Sequence, residues 1–203
     1  MTRRAAPTGP AGAPVRRRGP GSRADASHPT RHDLLRAADE VADREGLGAL
    51  SIDAVTRRAG LAKGTFYVHF ADRDALLVEL HRRFHDALFA AIAAQTEAME
   101  PGPDRARARM AAFLDGCRRQ PAVRAMLLQA RNEPAVVAEV RRRNEQAARL
   151  LADDLRRGRP PAGHPPETAR LLVAATADAA LQELQAGRSL PRLRAALAAL
   201  VPG

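Results

Sequence analysis

Sulfur and aromatic surface are scarce in this chain: its 203 residues include one Cys, one Tyr, five Phe and no Trp. With Cys117 the only thiol, an intramolecular disulfide is ruled out, and with it the stapled secreted scaffolds; a reducing, cytoplasmic compartment is the expectation. No Cys pair is present to build a zinc ribbon or a redox motif. No apolar run approaches the ~20 residues that a spanning helix needs. The basic N-terminus lacks the apolar stretch of a secretory signal, so no membrane partner is expected. Gly-rich phosphate loops are missing, as is a Ser nucleophile in a tight strand-to-helix turn. His81 and His85, in HRRFH, have the one-turn spacing of metal ligands. Arg rather than Glu follows His81, however, and no third ligand is evident, so a packing or solvated pair is the better reading. Neither an enzyme, nor a metal, nor a cofactor is expected.

What is abundant is Ala, Leu and Arg. Hydrophobic residues make up 45% of the chain, and the commonest of them favour helix over sheet. The formal net charge of +10 suggests an acidic polymer as partner, but its distribution matters more than its sum. Residues 1–28 carry six Arg and one Asp, residues 29–88 nine basic and ten acidic side chains, and residues 89–203 eighteen basic and twelve acidic. The middle segment is therefore slightly acidic overall, and any nucleic-acid reading has to rest on local placement.

Residues 1–27 are rich in Pro, Gly, Ala and Arg without apolar periodicity. They cannot bury enough surface to offset their ordering entropy, so disorder is expected. Thr30 is a candidate N-cap for a first helix whose stripe is Leu34, Leu35, Ala38, Val41 and Ala42, ended by Gly46. Ser51 caps a short second helix with Ile52, Val55 and Ala59 inward; Gly60 permits the φ > 0 of the turn that follows. A third helix runs from about Ala62 to Tyr67. Asp72 caps a longer fourth, with Leu76, Leu77, Leu80, Phe84 and Leu88 on one face. Helical patterns then cover 104–119, 121–131, 134–157, 166–186 and 191–201, separated by Pro and Gly. The fold class is all-α, with about nine helices: an arm over 1–28, a helix-turn-helix domain over 29–88, and a helical body over 89–203.

The informative stretch is SIDAVTRRAGLAKGTFYVHF, residues 51–70. Two short helices joined at a Gly turn place the second in a major groove, braced by the first. No acidic residue lies between Asp53 and Asp72, while Arg57, Arg58 and Lys63, the only lysine, all fall there. Phe66 and Phe70 read as core; Tyr67 and His69 are placed on the face opposite them.

Residues 31–88 resemble the DNA-binding domain of the TetR family, most densely over AGLAKGTFYVHF and Leu76–Leu77. Gly46, Ala59–Gly60, Lys63–Gly64–Thr65, Tyr67 and His69–Phe70 stand at the family's spacing. The resemblance is close for about 60 residues and architectural beyond them. It implies that Ser51 meets a phosphate and that Lys63, Gly64 and Thr65 open the recognition helix. Gly64 would let the backbone approach base edges and Thr65 would offer a methyl or hydroxyl, while Tyr67, His69 and Arg73 clamp phosphates. Two positions depart from the pattern. Thr56 replaces a small Ala, so its hydroxyl must be accommodated or bonded to the i−4 carbonyl. Asp53 stands where some members use Arg to read a base; it can accept from cytosine N4 but repels phosphates.

The same resemblance implies a homodimer joined through the last two helices, with Leu171, Leu172, Ala175, Ala179, Leu193 and Leu197 at the interface. It also implies an effector pocket among the middle helices, for which Met110, Phe113, Leu114, Cys117, Met126 and Leu127 are candidates, each also explicable as plain core. With no Trp or Tyr and few acids in that region, a neutral or anionic apolar effector is favoured over an aromatic cation. Arg141–Arg143 reads as a solvated helix face. The six Arg of the arm can either reach an adjacent minor groove or form an idle extension.

The resulting expectation is a cytoplasmic, dimeric regulator of transcription, a repressor released from palindromic operator DNA by a small molecule. The same fold acting as an activator or without an effector is the near alternative. An all-α enzyme, or a structural DNA-binding protein with a head that reads no sequence, is the distant one.

Overall fold

The computed structural model describes residues 28–119, 134–157 and 163–202. Among these it has eight α-helices: α1 (Pro29–Glu45), α2 (Ile52–Ala59), α3 (Lys63–His69), α4 (Arg73–Thr96), α5 (Pro103–Arg119), α6 (Pro134–Arg156), α7 (Pro165–Ala186) and α8 (Pro191–Ala199), with a single 3₁₀ turn at Leu47–Ala49. No strand occurs among the described residues. The segment expected as a helix over 121–131, with Met126 and Leu127, lies outside them, as do residues 1–27.

Helix starts follow local chemistry. Pro occupies the first turn of α1, α7 and α8, where its missing N–H goes unused. The α1 cap is His28 rather than Thr30: its ring Nδ1 accepts from the Thr30 N–H at 3.2 Å. A proline at the first helical position moves the start two residues earlier than a Thr-based reading suggests. Ser51 Oγ accepts from Ala54 N–H at 3.1 Å and an Asp72 carboxylate oxygen from Ala75 N–H at 2.8 Å, as expected of short polar caps.

Two apolar cores result. One joins α1, α2, α3 and the first half of α4 through Leu34, Leu35, Leu50, Val55, Phe66 and Leu76, and it also takes Val136 from the start of α6. The second joins the rest of α4 to α5–α8 through Leu88, Leu114, Leu155, Leu172, Ala179 and Leu197. Helix α4 runs without a break through both, so the boundary drawn at residue 88 falls inside a helix. Gly116 lets α5 lie close on α4, since a Cβ there would sit 2.2 Å from a Leu88 methyl carbon.

Buried ions staple the body. Asp154, fully buried, receives Arg105 Nε at 2.7 Å and pairs with Arg109 at 2.9 Å. Glu183 accepts from Leu190 N–H, Ser189 Oγ and both ends of the Arg194 guanidinium, which also reaches Asp115 at 2.6 Å. Arg194 foremost, with the Leu190 N–H, holds the Glu183 carboxyl below the usual range.

The faces assigned to the dimer divide. Leu172, Ala179 and Leu197 are buried in the chain's own body core, and Ala175 and Leu193 pack half-buried against it. Of the six residues expected at the interface only Leu171 is open, at 72% exposure. On α7 the residues carrying the apolar stripe point inward, and the outward face presents Leu171 with small and polar neighbours.

Candidate nucleic-acid interface and body cleft

The turn between α2 and α3 follows from Gly60. Its φ of 68° and ψ of 29° are left-handed, where a Cβ is penalised. In this conformation Gly60 N–H reaches Arg57 O at 3.2 Å and Leu61 N–H reaches Thr56 O at 2.9 Å, closing the helix end. Thr56 is buried, and its hydroxyl donates to Ile52 O at 2.8 Å, so the departure from Ala is absorbed within α2. Phe66, fully buried, and Phe70 pin α3 onto α1 and α4 with their rings 5.5 Å apart.

That packing leaves one edge of α3 outward. Lys63 and Gly64 are exposed, Thr65 is half-buried, and Tyr67 is 46% exposed with its ring edge-on to Phe66. Ser51 is exposed, and capping uses its oxygen as an acceptor, leaving the hydroxyl proton available to an acceptor outside. A Cβ on Gly64 would meet nothing within 4 Å, and its φ is not positive. Neither packing nor torsion within the chain requires glycine there.

His69 differs from expectation, and Arg73 has a partner within the chain. His69 is buried at 8% exposure, its ring 5.0 Å from that of His28. Three residues beyond Phe66 on a helix is the same face, not the opposite one, so His69 packs inward while Tyr67 does not. Arg73 is half-buried, and its Nε donates to Leu50 O at 2.6 Å, tying the start of α4 to the residue before Ser51. The local charge is also more balanced than the sequence suggests. Lys63 Nζ lies 2.9 Å from Asp53, whose carboxylate holds the ammonium pKa above its ordinary value. Arg58 pairs with Glu40 of α1.

Behind the head, where α4, α5, α6 and α7 meet, a cleft of about 780 Å³, its mouth included, opens in the body. Met110 and Phe113 line it; Leu114 and Cys117, further along the same face of α5, do not, being fully buried in the body core. Burial, with the Glu183 charge added, pushes the Cys117 thiol up to about 12, so it is an inert core group. The remaining apolar wall includes Phe89, Ile92, Leu151 and Val173, and the polar lining is His85, Arg109, Arg143, Asn144 and Thr176.

The His81–His85 pair is buried rather than solvated, with rings 4.4 Å apart. Desolvation lowers His81 to about 4; for His85 desolvation and then the neighbouring His81 and Arg143 charges lower it to about 3. Both rings are neutral at ordinary pH. No group of three or more metal-ligating side chains occurs among the described residues. Arg143, read from sequence as part of a solvated triplet, is buried and bonded to Glu139, Asp86 and the Arg82 carbonyl. Arg141 and Arg142 are exposed.

A short capped helix, a left-handed Gly turn and a second short helix with a bare outer edge, carried on a helical body with a cleft, define the class of helix-turn-helix regulators. Residues 34–80 match the family of bacterial regulatory proteins called tetR, the family that the head resembles. Over 44 residues it is 43% identical to an uncharacterized HTH-type transcriptional regulator, YvdT, of Bacillus subtilis (strain 168), covering 22% of this chain and 23% of that one. Over 86 residues it is 33% identical to the HTH-type transcriptional regulator BetI of Ectopseudomonas mendocina (strain ymp), covering 42% and 43%. The matches thus span less than half the length of these curated relatives. Among solved structures, the multidrug binding protein EbrR superposes with a TM-score of 0.69 at 26% identity, over 85% of this chain and 95% of that one. A TetR-family member from Streptomyces coelicolor A3 gives 0.68 at 25%, over 86% and 99%. Among the described residues no helix is long and apolar enough to cross a membrane.

Proposed function

We propose that this protein is a sequence-specific DNA-binding regulator of transcription, a homodimeric repressor that a small molecule in the body cleft releases from a palindromic operator. The single observation that carries the DNA reading is Gly64. A glycine in a helix costs about 1 kcal/mol relative to Ala, and nothing inside the chain calls for it: the space where its Cβ would sit is empty. Close approach of the backbone to something outside accounts for it, and on a recognition helix that is a base edge in the major groove. Lys63, Thr65 and Tyr67 stand on the same outward edge, and Ser51 presents its hydroxyl beside them. Arg73 serves chiefly by fixing α4 against the start of α2, and His69 by packing; neither role needs a phosphate.

Two heads related by a two-fold axis read half-sites about one turn, ~34–36 Å, apart. EbrR is a multidrug binding protein by name and was solved with imidazole; a ligand cleft in this chain's own body fits the same kind of control. The experiment is selection of bound sequences from a random DNA pool at physiological salt, where non-specific binding is weak. A palindrome is the expected result, and Lys63→Ala and Tyr67→Ala each lower affinity for it by about tenfold while the circular dichroism stays unchanged. Recovery of no consensus, with binding that vanishes as salt rises, sinks the reading and leaves only the arginine-rich arm's electrostatics.

A further inference from the structure

We propose that the body cleft takes an amphipathic carboxylic acid, its hydrocarbon part along the apolar wall and its carboxylate hydrogen-bonded where His85, Arg143 and Asn144 come together. The inference rests on the regulator reading and names the chemistry of its effector.

Three observations on the cleft point the same way. First, its lining holds two guanidiniums, Arg109 and Arg143, and no Asp or Glu. Their counter-ions, Asp154 for the one and Glu139 and Asp86 for the other, lie about a turn further along the same helices and are not part of the wall. An organic ammonium would meet donors and positive charge with no carboxylate to receive it.

Second, the polar groups are gathered rather than scattered. Arg143 reaches α4 at Asp86 (2.6 Å) and at the Arg82 carbonyl (3.3 Å), and its guanidinium lies 5.9 Å from the Phe89 ring centre. This places it at the His85 end of the cleft, with Asn144 next to it on α6. From His85 to Ile92 along α4 is seven residues, ~10 Å of apolar wall at the helical rise, which suits a medium-length alkyl chain. Arg109, committed to Asp154 and to the Leu150 carbonyl at 3.2 Å, closes the far end.

Third, His85 is buried at 5% exposure, lines the cleft, and its Nδ1 has no hydrogen-bond partner. A buried polar atom left unpaired costs ~1–3 kcal/mol; Nδ1 is closed to solvent in the free protein, and a turn of the ring toward a ligand oxygen in the cleft removes that cost. A neutral imidazole offers one N–H, and a carboxylate accepts it while also accepting from Arg143 and the Asn144 amide. A bare hydrocarbon would leave the imidazole as it is.

The test titrates the full-length protein calorimetrically with decanoate, 1-decanol and decyltrimethylammonium, all below their micellar concentrations. Decanoate is expected to bind at least tenfold more tightly than the alcohol, and the ammonium not measurably. Arg143→Gln should cut the acid's advantage over the alcohol to about twofold. Should that variant fail to fold, His85→Phe, which keeps a ring in the core, is expected to reduce the same advantage several-fold with the alcohol's affinity unchanged. Equal binding of acid and alcohol, tighter binding of the ammonium, or binding of none of the three overturns the proposal. The DNA selection separates the two failures. A palindrome without acid preference removes the acid and keeps the regulator, whereas acid preference without a consensus does the reverse.

Discussion

Asp53 and Lys63 face each other across the α2–α3 turn at 2.9 Å, both well exposed. In the free protein the pair is a surface ion bridge of little consequence for stability. On DNA it is a competitor, because any phosphate that Lys63 meets has to share it with a fixed carboxylate. Asp53→Asn is therefore expected to tighten binding to the selected operator several-fold and to steepen the dependence of log affinity on log salt by about one unit. The opposite result is just as informative: a loss of affinity confined to operators with cytosine at one position would mean that Asp53 reads cytosine N4. The buried histidines give a second residue-scale expectation. His81 and His85 sit near 4 and 3 in the fold against an ordinary 6.5, so the unfolded chain binds more protons throughout that interval. Stability then rises with pH across it and is lost as pH falls below about 6.5. Glu139, held at about 2 by Arg142 and Arg143 against an ordinary 4.5, extends the loss in the same direction below pH 4.5. Denaturant unfolding between pH 7.5 and 5 should show the decline, and His85→Phe should make it shallower; a flat profile over that range would contradict the buried neutral pair.

The α7–α8 corner is an element whose stability rests on one side chain. Glu183 is buried at 1% exposure and accepts from the first N–H before α8, from Ser189 and from Arg194. Glu183→Ala strands a half-buried guanidinium with only Asp115 and leaves the Leu190 N–H without its acceptor; a loss of ~3–5 kcal/mol is expected, read as a lowered denaturant midpoint. Nothing in the sequence pointed to this corner, because Glu183 and Arg194 are eleven residues apart and belong to different helices. The head shows the opposite case. Ser51, Gly60 and Asp72 act within four residues of themselves, so caps, turn and helix order were readable before any fold was known. The third helix expected from about Ala62 to Tyr67 stops short of His69, whereas α3 runs through it and carries it onto the Phe66 face. On α5, Leu114 and Cys117 look like Met110 and Phe113 in sequence. Only the packing of α4 and α7 on that shared face decides where along it the cleft ends and the closed core begins. Helix α6 carries the least legible feature, with Val136 in the head core and Arg143 and Asn144 at the cleft. One rigid element thus spans two sites that the boundary at residue 88 had separated.

At the scale of the whole molecule, the proposed homodimer needs a surface that joins two copies. A repeated apolar stripe cannot say whether it faces the chain's own body or a partner, and on α7 the two uses are now separated. Leu172, Ala179 and Leu197 are spent inside the chain, so substituting them would unfold the body and report nothing about assembly. Leu171 and Leu200, at 72% and 60% exposure, are large apolar side chains in water on the last two helices. Exposed Ala174, Ala195, Ala196 and Ala199 on the same helices are small enough to permit close approach of a second helix pair. Isolated exposed leucines are ordinary, but two exposed leucines with four exposed small residues at helical spacing on two successive helices are the surface that the proposed dimer interface would use. The double substitution Leu171→Glu, Leu200→Glu places four like charges across a two-fold axis at no cost to either core. Sedimentation should show a monomer, with helical content by circular dichroism retained. Affinity for the palindromic operator should fall at least a hundredfold, toward that of the wild-type protein for a single half-site, because the second head no longer arrives attached to the first. A variant that stayed dimeric with operator affinity intact would place the two-fold axis elsewhere on the body. A monomer that kept full affinity would instead mean that each head reads its site alone.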